Sequence, residues 1–331
     1  MAVYTQLTSA ALEALIGQFD VGALRSAKGI AEGVSNSNWL IDTAGPDGAG
    51  ARFILTMFEG RTEVDDLPFF LGLLDHLADK GCPVPRTIHD RAGASFRMVS
   101  GADGAQKAVA LIEFLPGVSV SAPSAQQAHS VGAALAGLHL AVADFPQARA
   151  NGMGPDTWRQ LLGDCGEEGL AQIHPELGAL VTRELAALAR SWPADLPRSV
   201  IHADLFPDNV LMLGTQVAGL IDFYFACTDI SAYDVAVTHA AWCFSADGRV
   251  FDPAVSAALL AGYESVRPLS AAERAALPVL ARGAAMRFLA TRAYDWLHTP
   301  ADALVTRKDP MAFARRVEFY GNPANAGVFA A

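Results

Sequence analysis

The chain has 331 residues, 52% of them apolar, which is enough hydrophobic surface for one large domain or two smaller lobes. Its formal net charge of −11 repels phosphate backbones and anionic lipid, so neither nucleic acid nor a membrane surface is an expected partner, and a small polar molecule is. Cys82, Cys165, Cys227 and Cys243 stand far apart with no C-x-x-C spacing, which argues against a zinc site or a disulfide framework and points to a reducing cytoplasm.

The first residues lack the basic start, continuous apolar centre and small-residue cleavage pattern of a secretory signal, and read as an amphipathic helix. Short β-rich runs follow between Ala27 and Leu115: Asn38 to Asp42, Arg52 to Phe58, Ser95 to Val99 and Ala108 to Leu115. One helix interrupts them, from Asp65 to Lys80, with Leu67, Phe70, Leu71, Leu74 and Leu77 at helical spacing and Gly81 as its stop. Pro116-Gly117 breaks the pattern and marks the boundary between residues 1–115 and 116–331. Beyond it the chain is alanine- and leucine-rich helix, except for a β island from Ser199 to Phe223. The most apolar long stretch, Ala128 to Phe145, carries His129, Ser130 and His139, so no span of a bilayer is expected. The predicted class is α+β, with a strand-rich first lobe and a larger, mainly helical second lobe.

The β island contains His202-Ala203-Asp204-Leu205-Phe206-Pro207-Asp208-Asn209 and, after a turn at Gly214-Thr215-Gln216, Ile221-Asp222-Phe223. The pattern is H-x-D-x-x-x-x-N with a downstream Asp. Phosphoryl transfer asks for a carboxylate aimed at the acceptor hydroxyl and for oxygen ligands that hold magnesium on the phosphates. Asp204 fits the first demand; Asn209 and Asp222 fit the second. A four-residue connection between Val210–Leu213 and Ala218–Ile221 predicts an antiparallel hairpin that sets Asn209 opposite Asp222. Singly, each of these residues reads equally as a turn or loop-capping side chain, and Asp208 is assigned to the turn.

This stretch resembles the aminoglycoside phosphotransferase and choline kinase superfamily, which shares the protein-kinase fold. Gly29 to Trp39 resembles that family's first hairpin, whose small-residue turn brings backbone N–H groups to phosphates; Gly33, Ser35, Asn36 and Ser37 are its candidate nucleotide contacts. Within the superfamily, Met1 to Thr5, Leu55 to Glu59, Leu67 to Phe70, His202 to Val210, Ile221 to Cys227 and Lys308 to Pro310 resemble the homoserine kinases of this fold. The resemblance implies ATP and Mg²⁺ as cofactors and the L-homoserine hydroxyl as acceptor, in threonine biosynthesis in the cytoplasm. It implies a base role for Asp204, magnesium ligation by Asn209 and Asp222, and loop bracing beside the catalytic residue by His202. Asp234 resembles a structural carboxylate, its alternative being a helix N-cap.

Glu113 and Leu115, in the apolar strand Ile112 to Leu115, are the candidate adenine contacts at the hinge, against the alternative of an ordinary buried strand. Arg287 and Arg292, on an apolar helix, are candidates for the substrate carboxylate; the alternative is an ion pair with Asp295 or Glu264. Thr56 stands where kinases place the strand-three lysine that meets the α- and β-phosphates. Two other functions stay open at this level. One is another small-molecule kinase of the same fold, with Tyr224, Trp242, Tyr294 and Trp296 available for a choline cage; the other is a non-catalytic nucleotide-binding module.

Overall fold

The computed structural model describes residues 7–30, 36–59, 62–100, 104–299 and 307–330. The chain divides into two compact units, Met1–Pro116 and Gly117–Ala331. In the first unit, helix α1 (Ser9–Ile16) precedes strands β1 (Ala23–Ile30), β2 (Asn36–Ala44) and β3 (Gly50–Phe58), then helix α2 (Leu67–Asp79) and strands β4 (Thr87–Ile88), β5 (Arg97–Ser100) and β6 (Gln106–Glu113). The strands form one antiparallel sheet in the order β1-β2-β3-β6-β4, with β5 also pairing β6.

Strand β2 alternates buried and half-buried residues over most of its length, the period-two pattern of a strand with one packed face. Trp39 and Ile41 from that face join Leu55 and Met57 of β3, Val109 and Leu111 of β6, and Leu12, Leu15 and Ile16 of α1 in a single apolar cluster. Helix α2 is tied to the sheet through β4. Thr87 Oγ1 donates to the Leu71 carbonyl at 3.1 Å, and Asp75 accepts from the Thr87 N–H at 3.1 Å and contacts His89 Nε2 at 2.7 Å. Strand β1 was not among the expected runs: it is an edge strand, mostly exposed, and carries almost no apolar alternation to read.

The second unit contains α3 (Ala125–Ala141), α4 (Pro155–Ile173), α5 (Leu177–Ser191), β7 (Arg198–Ile201), β8 (Val210–Leu213), β9 (Gln216–Leu220), β10 (Cys227–Ile230), α6 (Ser231–Trp242), α7 (Pro253–Val266), α8 (Ala271–His298) and α9 (Met311–Gly321). Two short antiparallel pairs, β7 with β10 and β8 with β9, make up the β island. Helix α6 is buried along its whole length, and the remaining helices pack around it and the island.

Helices α3 and α7 cross at contact distance between their backbones. A Cβ at Gly132 would collide with the Leu259 carbonyl, and one at Gly262 with the His129 carbonyl. This reciprocal pair of glycines sets His139 of α3 against Tyr263 of α7, a contact on which the catalytic loop depends. Gly262→Ala is expected to lower stability by about 1–3 kcal/mol through overpacking, measurable as a drop in thermal midpoint; an unchanged midpoint would show that the crossing tolerates a methyl.

His239 of α6 is completely buried between Tyr320 Oη at 2.6 Å and Ser256 Oγ at 2.8 Å. Burial lowers its pKa from the ordinary 6.5 to about 3. Below the ordinary value, the unfolded chain therefore binds a proton that the folded chain refuses, and stability is lost as the pH falls. The slope from this one group approaches about 1.4 kcal/mol per pH unit. Urea titrations from pH 7.5 to 5 should show a shallower decline for His239→Gln than for the wild type, and equal slopes would remove His239 from the account.

Candidate active site

The loop between β7 and β8 is held from beneath by one carboxylate. Asp234, fully buried in the first turn of α6, accepts the His202 N–H at 2.7 Å on Oδ2 and the Ala203 N–H at 2.8 Å on Oδ1. His139 Nε2 donates to the same carboxylate at 3.1 Å, and its Nδ1 accepts from the Tyr263 hydroxyl at 2.8 Å. Arg267 donates to that hydroxyl at 3.0 Å and to Glu273, which extends the network to the N-terminal turn of α8. Burial alone would raise the Asp234 pKa, but the hydrogen bond and charge from His139 and the bond from the His202 backbone outweigh it and hold the carboxyl below its ordinary range. Asp234 does not cap α6: the N-cap is Ile230, so the N-cap alternative fails.

This grip lets the chain adopt an unfavourable conformation. Among the described residues, Ala203 (φ 64°) and Asp222 (φ 65°) are the only non-glycine residues in the left-handed region, at a cost of about 1–2 kcal/mol each. Both lie in this site. Ala203 is fixed from two sides, with its N–H on Asp234 and its carbonyl accepting from Arg287 Nη1. The reversed turn at Ala203 presents Asp204.

His202 is fully buried and has both ring nitrogens occupied. Its Nε2–H donates to the Ile221 carbonyl at 3.0 Å, and its Nδ1 accepts the Asp204 N–H at 3.2 Å. The ring lies 4.4 Å from that of Phe223, and burial lowers its pKa and keeps it neutral. Its contacts are those of a positioning residue that joins the Asp204 loop to the Asp222 loop, with no ring nitrogen left for proton transfer.

Asn209 donates its amide to the Asp204 carbonyl at 2.7 Å and to Asp204 Oδ2 at 3.2 Å, leaving its amide oxygen as the atom able to face a cation. The expected hairpin register is corrected. Gly214-Thr215 alone connects the strands, with Gly214 at φ +62°, and a bulge shifts the pairing, so that Val210 faces Leu220 and the Asn209 carbonyl accepts from Ile221 rather than lying opposite Asp222. Asp222 follows Ile221 and turns on its left-handed backbone into a 3₁₀ turn, Phe223–Phe225.

The carboxyls of Asp204 and Asp222 are both held above the ordinary carboxylate range. Asp204 is pushed up to about 7, first by desolvation, with repulsion from Asp222 and Asp208 opposed by Arg287 and Lys308. Asp222 keeps a solvent-exposed edge, yet the protein around it removes enough hydration, with Asp208 nearby, to raise it to about 6. The Asp222 carboxylate and the Asn209 amide oxygen are hard oxygen donors of the chemistry a divalent cation such as Mg²⁺ takes.

Arg287 is corrected as a substrate contact. It is 2% exposed, with its guanidinium behind the loop on the Ala203 carbonyl and over the Phe225 and Phe288 rings at 5.2 and 4.7 Å. Glu264 pairs with Arg274, so the expected partnership with Arg287 or Arg292 does not form. Arg292, by contrast, is half-buried at the edge of the site. In the first unit, Gly33 and Ser35 lie outside the described residues. Asn36 and Ser37 are buried and turned to Glu59, which donates its N–H to Asn36 Oδ1 at 3.3 Å and accepts from Ser37 Oγ at 2.7 Å, while Lys107 pairs with the other Glu59 oxygen. These side chains brace the root of the turn. Thr56 is buried and donates to Asn38 Oδ1 at 2.8 Å. Glu113 donates its N–H to the Arg86 carbonyl at 2.9 Å and accepts the Arg86 N–H, so it is engaged with the chain entering β4; Leu115 lies half-buried just past β6.

Sequence reading missed three supports: His139, Tyr263 and Trp242. The last is buried and donates its indole N–H to the Leu205 carbonyl at 2.9 Å. With Trp242 so used and Tyr294 stacked on His298 at 4.1 Å, neither is available to line a choline cage. Only the H-L spacing of His139 within an apolar helix face hinted at a buried polar role.

The model of the phosphotransferase enzyme family matches residues 26–269. The chain belongs to that family. Its curated relatives include the homoserine kinases of Gluconobacter oxydans, 50% identical over 97% of this chain and 98% of the relative, and of Gluconacetobacter diazotrophicus, 50% identical over 97% of each. Among solved structures, an amicoumacin kinase superposes with a TM-score of 0.70 at 13% identity, covering 95% of this chain and 94% of its own. The fold is the α+β architecture of the protein-kinase-like phosphotransferases.

Asp234→Ala would leave two loop N–H groups and His139 without their acceptor. We expect a loss of about 3–5 kcal/mol in urea unfolding, together with a kcat loss larger than the change in KM for ATP. A variant that is destabilised but retains full kcat would separate Asp234 from loop positioning.

Proposed function

We propose that this chain is a homoserine kinase, which transfers the γ-phosphoryl group of ATP to the side-chain hydroxyl of L-homoserine in threonine biosynthesis in the cytoplasm. The carrying observation is the 50% identity over 97% of the chain to relatives of that name, and the Asn209 amide on the Asp204 carboxylate supports it. The four free cysteines and the absence, among the described residues, of any helix long and apolar enough to cross a membrane are compatible with the compartment.

In this reading, Asp204 accepts the proton of the homoserine hydroxyl as its oxygen forms a bond to the γ-phosphorus and the bond to the β-phosphate oxygen breaks, releasing ADP. Asn209 orients the Asp204 carboxylate through its amide, and His202 holds the Asp204 N–H. Asn209 Oδ1 and Asp222 would hold Mg²⁺, which when bound offsets the negative charge of the phosphate oxygens. The Gly29–Asn38 turn would meet the phosphates in place of the lysine that Thr56 replaces. The main chain around Glu113 and Leu115 would meet the adenine.

A panel of ATP-dependent turnovers tests this. L-Homoserine should give O-phosphohomoserine faster than choline, a hexose or an aminoglycoside is phosphorylated, and a faster rate on any of those would replace the assignment. Asp204→Asn should lose about a hundred- to ten-thousand-fold in kcat with a nearly unchanged KM for ATP. Near-normal turnover in that variant would remove Asp204 from the chemistry.

A further inference from the structure

Beside Asp204 the second unit builds an aromatic floor with a cationic rim. The Phe206 ring, two residues beyond Asp204, packs on Phe288 at 4.7 Å and lies 6.1 Å from Phe313; Phe288 and Phe313 lie 5.1 Å apart. Phe313 carries two guanidiniums over its ring, Arg292 at 4.4 Å and Arg316 at 4.3 Å from the centroid. Arg316 is buried, and its terminal nitrogens donate to the Ala312 and Ser245 carbonyls at 2.9 and 3.0 Å, so it is a structural element under the floor. Arg292 is different. It lies four residues after Phe288 on α8, and so about 6 Å further along the same helix face. Its single hydrogen-bond partner among the described residues is the Asp309 carbonyl, at a long 3.4 Å.

A guanidinium carries five N–H donors. Arg292 commits one of them weakly, and the rest have no acceptor among the described residues. The half-buried arginines Arg267, Arg274 and Arg282 instead close on Glu273, Glu264 and Glu184. Asp309, whose carbonyl Arg292 meets, has its carboxylate engaged in capping Met311 at 2.8 Å and pairing with Arg315 at 3.8 Å. Next to Arg292, Lys308 reaches over the Phe206 ring at 5.9 Å and pairs loosely with Asp208 at 3.5 Å. The Arg292 pKa is lowered to about 10, by burial first and by the like charge of Arg316 second, against the attraction of Asp309, Asp208 and Asp204. The guanidinium thus stands in the field of the catalytic loop, partly desolvated and without a counter-ion.

We propose that Arg292, with Lys308 beside it, is the carboxylate-reading subsite for the acceptor, so that the site selects a short hydroxy amino acid over a primary alcohol or amino alcohol of the same length. The stacked, planar guanidinium offers a bidentate fork to a carboxylate, the phenyl floor accommodates the methylenes between carboxylate and hydroxyl, and the hydroxyl lies at Asp204. Lys308 adds a mobile second charge; its loose pairing with Asp208 leaves Asp208 able to face an ammonium. The inference rests on the reading of the chain as a homoserine kinase and adds the residues that discriminate the substrate.

Two probes test it in the full-length enzyme: 3-amino-1-propanol, which is homoserine without its carboxylate, and L-2-aminobutyrate, which keeps carboxylate and ammonium but has no hydroxyl. In the wild type, kcat/KM should favour homoserine strongly over 3-amino-1-propanol, and L-2-aminobutyrate should compete with homoserine. In Arg292→Gln, homoserine should lose about ten- to a hundredfold in kcat/KM, carried by KM, as expected for a lost charge-assisted hydrogen bond. The amino alcohol should lose far less, and inhibition by L-2-aminobutyrate should weaken in parallel with the loss on homoserine. Arg292→Lys should recover only part of the preference, and Lys308→Gln should lower it by less than Arg292→Gln does. Equal losses on both acceptors, or undiminished inhibition by L-2-aminobutyrate in a folded Arg292→Gln protein, would overturn the subsite alone. A wild type that leaves homoserine unphosphorylated would overturn the functional reading beneath it.

Discussion

The bond between the Asp234 carboxylate and the two successive N–H groups of His202 and Ala203 is the constraint on which the catalytic geometry depends. An alanine does not enter the left-handed region without compensation, and here the compensation comes from buried charge-assisted bonds. A backbone bond of this kind worth about 1.5–3 kcal/mol exceeds the cost of the αL turn. The carboxylate itself is kept ionised at depth by His139, which is oriented in turn by Tyr263. The close crossing of α3 and α7 at Gly132 and Gly262 is what permits that contact.

Electrostatics then sorts the charged residues of the second unit by depth. Arg287, sealed under the loop, holds the Ala203 carbonyl, and its charge works against the upward shift of the Asp204 pKa. Asp204 and Asp222, closer to solvent, resist ionisation because desolvation and nearby acids disfavour the charged form. Arg292 and Lys308 occupy the rim on rings that stabilise cations without neutralising them.

The first unit shows how a kinase fold can be assembled around a threonine in place of a lysine. Thr56 donates to Asn38, and the half-buried Lys107 pairs with Glu59 and so helps fix the beginning of β2 and the end of β3. Neither residue presents free charge. The polar groups at the root of the turn hold strands together.

What the sequence by itself determined was the chemistry and the class. The H-x-D-x-x-x-x-N pattern with its downstream Asp, the break at Pro116-Gly117 and the strand-to-helix change across it were legible because spacing along a chain records local geometry. Strand β1 and strand β10 escaped because an exposed edge and a four-residue pairing leave too little periodicity to read. The hairpin register escaped because a bulge inserts a residue without any sequence mark. Only the tertiary structure decided which polar residues serve the site and how. Arg287 and Arg292 lie five positions apart on one apolar helix, and sequence assigned them the same role. Their difference comes from which surface packs over each: the Ala203 loop closes on one, and solvent and Phe313 flank the other. The same holds for Asp234, a plausible helix cap by composition, whose carboxylate instead meets a loop more than thirty residues upstream. Burial and partner identity are properties of residues brought together from distant parts of the chain, and no local spacing encodes them.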